Sequence, residues 1–490
     1  MKTDLNKILL HSDLKAVTDI QHSAAGPLVL HSKEVEEGAI YVAIKGTVAD
    51  GHDYIDQAVE QGAKVVFIEK ELTTYHEGVD YYLSAHLRAE LGLLAANYYD
   101  HPSREMKVVG VTGTNGKTTI TTLLYQLFTA LGHQVGLIST IEHYIGKRTV
   151  TSTHTTPNPI VLQSLFADML AEGCSHVFME VSSHAIDQDR IVGIDFDGAV
   201  FTNISHDHLD YHGTFANYIE AKKKFFDGLS PHAFAISNRD DKRGLVMLQN
   251  TKAIKKLYGL QHVVDYKGVV LENEGAGLYM EVDGYEVHFM LNGLFNAYNL
   301  LSVYAVAVEL GYGKDEILTH LSLLKGAAGR FETLFAPEMN IRVIIDYAHT
   351  PDALLNVLTT IEQMNTQGGE VITVVGCGGD RDKTKRPLMR KVSTEYSHKV
   401  ILTSDNPRTE DPQVILDDMM EGASADEKRK ITQIVDRKEA IKLAVQWAKP
   451  NDVILVAGKG HETYQEVNGV RKHFDDKEEA LTAFQLMNIK

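Results

Sequence analysis

The chain has 490 residues, 44% hydrophobic and 23% charged, with a formal net charge of −18. At roughly 100 to 200 residues per domain that length suggests three domains of ordinary globular composition. The acidic balance argues against a nucleic acid or an anionic membrane surface as partner, because both are bound by neutralising phosphates with Lys and Arg.

The N-terminal stretch Met1 to Leu10 contains Asp4 and no long apolar run, and no segment approaches the roughly 18 apolar residues of a membrane span. Cys174 and Cys377 are the only cysteines, and neither lies in a C-x-x-C pair. A soluble, cytoplasmic protein with reduced thiols and no membrane insertion is expected.

Residues 1–106 alternate short strands and helices: Ala39 to Ile44 and Ala63 to Ile68 read as strands, Tyr54 to Gln61 and Leu87 to Tyr99 as helices. Asp100-His101-Pro102-Ser103 then breaks the pattern as a linker.

The second block, 107–332, opens on Val108-Val109-Gly110-Val111-Thr112-Gly113-Thr114-Asn115-Gly116-Lys117-Thr118-Thr119, a β-branched strand running into a glycine turn. Leu123, Leu124, Leu127, Phe128 and Leu131 follow at helical spacing. Such a loop cradles phosphates with backbone N–H groups at a helix N-terminus; Lys117 supplies charge to the β- and γ-oxygens and Thr118 a hydroxyl for Mg²⁺. The spacing is Gly-x-x-Gly-Lys-Thr-Thr rather than the common longer one. An accidental Gly-Lys-Thr in an ordinary turn is the bland alternative.

The strand Val177 to Val181 carries Glu180 at its carboxyl end, placed to hold Mg²⁺ or polarise water. After the strand Ala199 to Phe201 comes the polar loop Thr202-Asn203-Ile204-Ser205-His206-Asp207-His208-Leu209-Asp210-Tyr211-His212-Gly213, from which one His could join Glu180 on a metal. Lys222, Lys223 and Lys224 are successive on a helical segment; composition reads them as a solvated basic face and cannot single out Lys222. The paired glycines of Gly326-Ala327-Ala328-Gly329-Arg330-Phe331-Glu332 suit a hinge.

The third block, 333–490, alternates strands at Val343 to Ile345, Val371 to Val375, Val400 to Leu402 and Val453 to Val456 with helices such as Ala353 to Met364. That alternation predicts α/β domains with parallel, doubly wound sheets, whose ligands lie beyond the carboxyl ends of the strands. Three polar turns stand there: Gly376 to Asp382, Ser404 to Arg408 and Gly458 to Glu462. A guanidinium grips a carboxylate and carboxylates grip an ammonium, so these turns suit a zwitterion.

The motifs Gly113 to Thr119, Glu180-Val-Ser-Ser-His184, Asp207 to Gly213, Asn296-Ala-Tyr-Asn299, Gly329-Arg-Phe-Glu332, Asp346 to Pro351 and Asp405-Asn-Pro-Arg408 together resemble the Mur ligases, among them the members that add a diamino acid. The match runs through all three blocks in order. It implies a UDP-sugar-binding first domain, a central P-loop ATPase-like parallel-sheet domain and a Rossmann-like C-terminal domain that binds the amino acid. The activity it implies is an ATP-dependent amide ligase of peptidoglycan synthesis, and hence of cell shape and division. ATP would phosphorylate the free carboxylate of D-Glu in UDP-MurNAc-L-Ala-D-Glu, and the amine of the diamino acid would displace phosphate.

Carried over by position, the resemblance puts Thr118 and Glu180 on one Mg²⁺, His208 with Glu180 on a second, and a carbamate on Lys222 as a further metal ligand. It puts Asn296, Asn299, Arg330 and Asp346 around the nucleotide. For the UDP-sugar dipeptide it gives Leu30, Ser32, Thr47, Val48, Ala49, Thr155, Thr156, Ser182, Gln188 and Arg190. For the incoming amino acid it gives Arg381, Asp405, Asn406, Pro407, Arg408, Gly458 and Glu462. The Asp-Asn-Pro-Arg version points to meso-diaminopimelate, whose extra carboxylate Arg408 could fork, with L-lysine as the alternative. His154 departs from those relatives that carry an Asn before the Thr-Thr pair. A monomer is expected. A folylpolyglutamate synthetase is the rival enzyme, disfavoured by the first block, and a nucleotide switch is the rival from another class, disfavoured by the three polar strand ends.

Overall fold

A computed structural model describes residues 3–46, 49–152, 154–274, 277–337, 339–365 and 368–488. Three main sheets follow one another along the chain, each with its own apolar layers, beside two two-stranded ribbons among the described residues.

The first has five strands in the order Lys15–Ala16, Asp80–Leu83, Val65–Ile68, Ile40–Ala43, Leu28–Val29, parallel except at the first pair. Val65–Ile68 and Ile40–Ala43 are buried at every position, as strands covered on both faces must be. The helix Leu87–Tyr98 packs on this sheet through Leu87, Leu91, Leu94 and Ala95. The same helix reaches the middle unit: a Cβ at Gly92 would meet Val192 O at 2.2 Å, so the two backbones touch.

The central sheet has eleven strands. Its parallel core runs Val135–Ile138, His176–Glu180, Lys107–Thr112, Gly198–Phe201, Phe234–Asn238, Ile254–Gly259, Tyr266–Glu274. Antiparallel strands Glu142–Ile145 and Arg148–Thr151 at one edge, and Gly277–Val282 and Tyr285–Phe289 at the other, extend this parallel core. One edge hairpin turns on Asp283-Gly284, both at positive φ, a strong short-range hairpin signal. Lys107–Thr112 lies between strands that follow it in opposite directions across the sheet, so the loop after it opens at the topological switch point.

The third sheet runs Glu332–Ala336, Ile341–Asp346, Val453–Ala457, Val371–Val375, Lys399–Leu402, Ile431–Gln433, with only the first pair antiparallel. Its Pro351–Met364 helix begins with proline at the first turn and Thr350 Oγ1 accepting from Ala353 N. Its helices are locked by an ion pair with no exposed surface: Arg437 Nε and Nη2 donate to the two Asp476 oxygens at 2.7 Å each, and Nη2 also reaches Ala457 O at 3.0 Å.

Removing one partner of such a pair leaves a buried uncompensated charge, which costs about 3–5 kcal/mol. Asp476→Ala is therefore expected to lower the thermal midpoint of the C-terminal unit by several degrees; calorimetry showing an unmoved midpoint would contradict this.

Candidate functional site

The loop after Lys107–Thr112 leads straight into the helix Lys117–Ala130, whose first N–H groups have no intrahelical acceptor. Gly113 and Gly116 have φ of +149° and +92°, and a Cβ there would lie 1.8 Å from Thr202 Oγ1 and 2.6 Å from Asn299 Oδ1. Both positions demand glycine. The loop is braced by the turn after Gly198–Phe201: Thr114 N donates to Asn203 O at 2.8 Å and Asn115 N to Asn203 Oδ1 at 3.0 Å.

Lys117 Nζ donates to Gly113 O and Thr114 O, both at 2.9 Å, and Lys222 Nζ donates to the same Gly113 O at 2.8 Å. Lys222 comes from the helix Phe215–Asp227 and is 1% exposed. Burial, reinforced by the Lys117 charge, holds its amine well below the usual lysine range. Burial also lowers Lys117, against the pull of Glu180 and Asp207. The tertiary structure thus separates three lysines that composition could not: Lys223 bonds Asp227 at 2.5 Å, Lys224 reaches Asp187 in an exposed pair, and only Lys222 points to the phosphate loop.

Glu180, wholly buried at its strand end, accepts from Thr118 Oγ1 at 2.9 Å, Thr140 N at 2.8 Å and Thr140 Oγ1 at 3.1 Å. His208 sits in the left-handed region at φ +54°. Burial, with His184, Lys117 and Lys222 nearby, pushes it down to about 3 against the attraction of Asp207, so its imidazole is neutral and able to accept. Burial would raise Asp207, but His208, His349 and Lys385 together hold it below the usual carboxylate range.

Thr118 Oγ1 also accepts from Arg330 Nη2 at 3.1 Å, across the junction of the second and third units, and the Arg330 guanidinium lies 4.5 Å over the Tyr347 ring. A second tie across this junction runs from Asn115 Nδ2 to Asp352 Oδ2 at 3.1 Å. Asp346 accepts from Phe331 N at 2.6 Å and Ala348 N at 2.7 Å, and burial raises its carboxyl. Asn299 Nδ2 donates to Asn296 Oδ1 at 3.0 Å directly behind Gly116.

On the other side of Glu180, Thr156 Oγ1 donates to Glu180 O at 2.8 Å and accepts from Ser182 N at 3.1 Å, and Thr155 Oγ1 is 3.0 Å from Thr140 Oγ1. Arg190 donates to Gln188 Oε1 at 2.6 Å and to Thr156 O at 2.8 Å. These five residues, Ser182 among them, therefore form one patch around Glu180. Leu30 and Ser32 lie on the first unit, where Ser32 Oγ donates to Gln57 Oε1 at 2.8 Å. Ala49 O receives Gly46 N at 2.8 Å, while Thr47 and Val48 fall outside the described residues.

In the third unit the loop Asp405–Arg408 and the turn Gly458–Glu462 meet. Asn406 Nδ2 donates to Glu462 Oε2 at 2.8 Å, and the wholly buried Lys459 donates to that same oxygen at 2.9 Å and to Asn406 Oδ1 at 3.1 Å. Asp405 is buried; desolvation would raise it, but Lys459 and Arg437 keep it ionised, and a Cβ at Gly458 would meet its Oδ2 at 2.6 Å. Arg408 Nη1 donates to Gly379 O at 2.7 Å, while Arg381 is exposed beside it on the glycine turn.

Among the described residues no three His, Cys, Asp or Glu side chains converge as a ready-made metal site. That donor set still fits Mg²⁺, which keeps water and takes one or two carboxylates with substrate phosphates rather than an all-protein cage. Sequence reasoning passed over Thr140, Asn203 and Lys459. Thr140 had no local signal, whereas Asn203 and Lys459 stood inside runs already marked as polar strand ends.

The Mur ligase family catalytic domain matches residues 28–98, the Mur ligase middle domain 111–307 and the Mur ligase glutamate ligase domain 329–460. The chain is 51% identical over 478 residues, 97% of this chain and 96% of the other, to a UDP-N-acetylmuramoyl-L-alanyl-D-glutamate–2,6-diaminopimelate ligase of Parabacteroides distasonis. A solved structure of a ligase with that same name superimposes with a TM-score of 0.70 at 32% identity, covering both chains fully. The MurF ligase of Thermotoga maritima in complex with ADP shares the fold, with a TM-score of 0.63 at 21% identity over 94% of this chain and 97% of that one.

Gly113→Ala is expected to weaken ATP binding at least about tenfold, because the added methyl drives Thr202 and the loop apart. Calorimetric titration with a non-hydrolysable ATP analogue tests this, and an unchanged affinity would remove the phosphate-loop assignment.

Proposed function

The chain belongs to the Mur ligase family, and from that premise we infer that it joins meso-diaminopimelate to the D-Glu of UDP-MurNAc-L-Ala-D-Glu. It is an ATP-dependent acid–amino-acid ligase of peptidoglycan synthesis. No described helix is long and apolar enough to cross a membrane. A monomer in the cytoplasm, where nucleotide-linked precursors are made, completes the reading.

The chemistry explains why ATP is needed. A carboxylate resists attack by an amine because oxide is a very poor leaving group. The D-Glu carboxylate oxygen first attacks the γ-phosphorus, the new O–P bond forms as the bond to ADP breaks, and an acyl phosphate results. The diamino acid's amine then adds to the acyl carbon, and the tetrahedral intermediate expels phosphate as the nitrogen loses its proton.

Each step asks for positive charge where phosphate oxygens gather. The loop 113–119, Lys117 and Arg330 hold the phosphates; Asn296 and Asn299 border the nucleotide, with Asp346 at its ribose. Mg²⁺, held by Thr118, Glu180 and His208 with a carbamylated Lys222, would neutralise the phosphates and align the two reacting oxygens. Burial and the Lys117 charge disfavour the protonated amine, and the free amine is the form that adds carbon dioxide, so the environment of Lys222 suits carbamylation. The first unit and the Thr155, Thr156, Ser182, Gln188 and Arg190 patch hold the UDP-sugar dipeptide. Arg381 and Arg408 face the carboxylates of meso-diaminopimelate, and Asp405, Asn406, Gly458 and Glu462 receive its amine end.

What supports this most is the Arg330–Thr118 hydrogen bond, because the same guanidinium lies over Tyr347 at the carboxyl end of Ile341–Asp346 and so ties the phosphate loop to the third sheet. An acyl phosphate made on one side is then within reach of an amine held on the other.

Phosphate release from ATP is expected only when both UDP-MurNAc-L-Ala-D-Glu and meso-diaminopimelate are present; release with ATP alone would point to a switch. Arg408→Ala should raise KM for meso-diaminopimelate at least about tenfold and leave KM for ATP within about twofold. Equal effects on both would remove its role. Lys222→Ala should abolish turnover and regain part of it with added formate or acetate, and ¹³C-bicarbonate should give a carbamate NMR signal in the native protein that the variant lacks. Full activity of Lys222→Ala would end the carbamate assignment.

A further inference from the structure

The hairpin Tyr464–Val467 and Val470–His473 lies apart from the main sheets. Its turn is Asn468-Gly469, at φ +48° and +75°, the two-residue type that closes tight hairpins. The outer strand is exposed at every position, and Val467 and Val470 are 40% and 57% exposed, so the ribbon adds little to the apolar core. Its inner edge instead is bound to the loop Asp405–Arg408. Gln465 Nε2 donates to Asp405 O at 2.7 Å. Glu466 N donates to Asn406 Oδ1 at 2.9 Å. Arg408 N donates to Glu466 O at 3.1 Å, and Asn468 N donates to Arg408 O at 2.6 Å, a parallel bridge across Val467.

The bridge holds a strained residue. Arg408 is in the left-handed region at φ +52°, a backbone state that side-chain-bearing residues rarely adopt and that surroundings must impose. The ribbon is itself stiffened at its base, where the Arg471 guanidinium lies 4.3 Å over the Tyr464 ring and pairs with Glu466 at 3.0 Å. A fork of two hydrogen bonds from a guanidinium to a carboxylate fails with displacements of about 1 Å, so the aim of the side chain depends on the backbone below it.

We propose that this ribbon, through Gln465, is the positioning element that selects the diamino acid, by fixing the backbone from Asp405 to Arg408 in the conformation that aims its side chains at the substrate. Gln465 acts as a positioning residue, through its hydrogen bond to the Asp405 carbonyl. The inference rests on the reading of Arg408 and its neighbours as the amino-acid site. Meso-diaminopimelate and L-lysine differ by one carboxylate, so loosening the loop weakens the first more than the second.

The test compares Gln465→Ala, the isosteric Gln465→Glu, which has no N–H to donate, and Arg408→Ala in the full-length enzyme. Both Gln465 variants are expected to raise KM for meso-diaminopimelate about five- to tenfold, with KM for ATP and for the UDP-sugar dipeptide unchanged and the preference over L-lysine reduced by a similar factor. The thermal midpoint should stay in place; if Gln465→Ala lowers it, Gln465→Glu decides. A normal KM for meso-diaminopimelate in a folded Gln465 variant, or an equal rise for all three substrates, overturns the proposal. An Arg408 effect without a Gln465 effect removes the ribbon's role alone. A Gln465 effect without an Arg408 effect removes the reading of Arg408 and leaves the clamp acting through Asp405 and Asn406.

Discussion

Two lysine amines donate to one carbonyl oxygen, Gly113 O, and one of them, Lys222, is almost wholly buried. Like charges held together out of water are costly unless an anion joins them or one amine gives up its proton. The proposed occupants would meet that demand: triphosphate oxygens above the loop, and a carbamate formed on Lys222. The rest of the central unit serves this point. The glycines let the loop curl over Gly113 O, the turn at Thr202 and Asn203 braces it, and Glu180 with its threonines lies alongside.

The same economy governs the third unit. Its buried charges each have an internal partner: Asp405 faces Lys459 and Arg437, Glu462 binds Lys459 and Asn406, and Arg437 is matched by Asp476, while Arg381 stays exposed at the edge. In the proposed function, the charged groups of a zwitterionic substrate would replace or extend these pairs. The cleft is then completed by Arg330, which belongs to the junction and reaches back to Thr118.

Much of this was legible in the sequence. Strands such as Val371–Val375, interrupted only by the buried Thr373, and Val453–Ala457 are apolar runs because both faces are covered, and the polar turns after them stood out by contrast. The edge hairpin of the central sheet at Asp283-Gly284 and the separate ribbon at Asn468-Gly469 carry local hairpin signals that the strand–helix alternation around them masks. Thr140 and the separate fates of Lys222, Lys223 and Lys224 could not be found from spacing alone.

The sequence by itself determined the parts: a glycine loop between a β-branched strand and an amphipathic helix, the polar strand ends, and the ordered set of motifs that marks the family. Each is a local pattern, set by backbone sterics and by the period of apolar residues. Only the tertiary structure decided which amine shares Gly113 O, that Arg330 crosses to Thr118, and that a ribbon 60 residues downstream of Asp405 holds its loop. Burial and long-range hydrogen bonds set those outcomes, and both depend on which segments the sheets bring together.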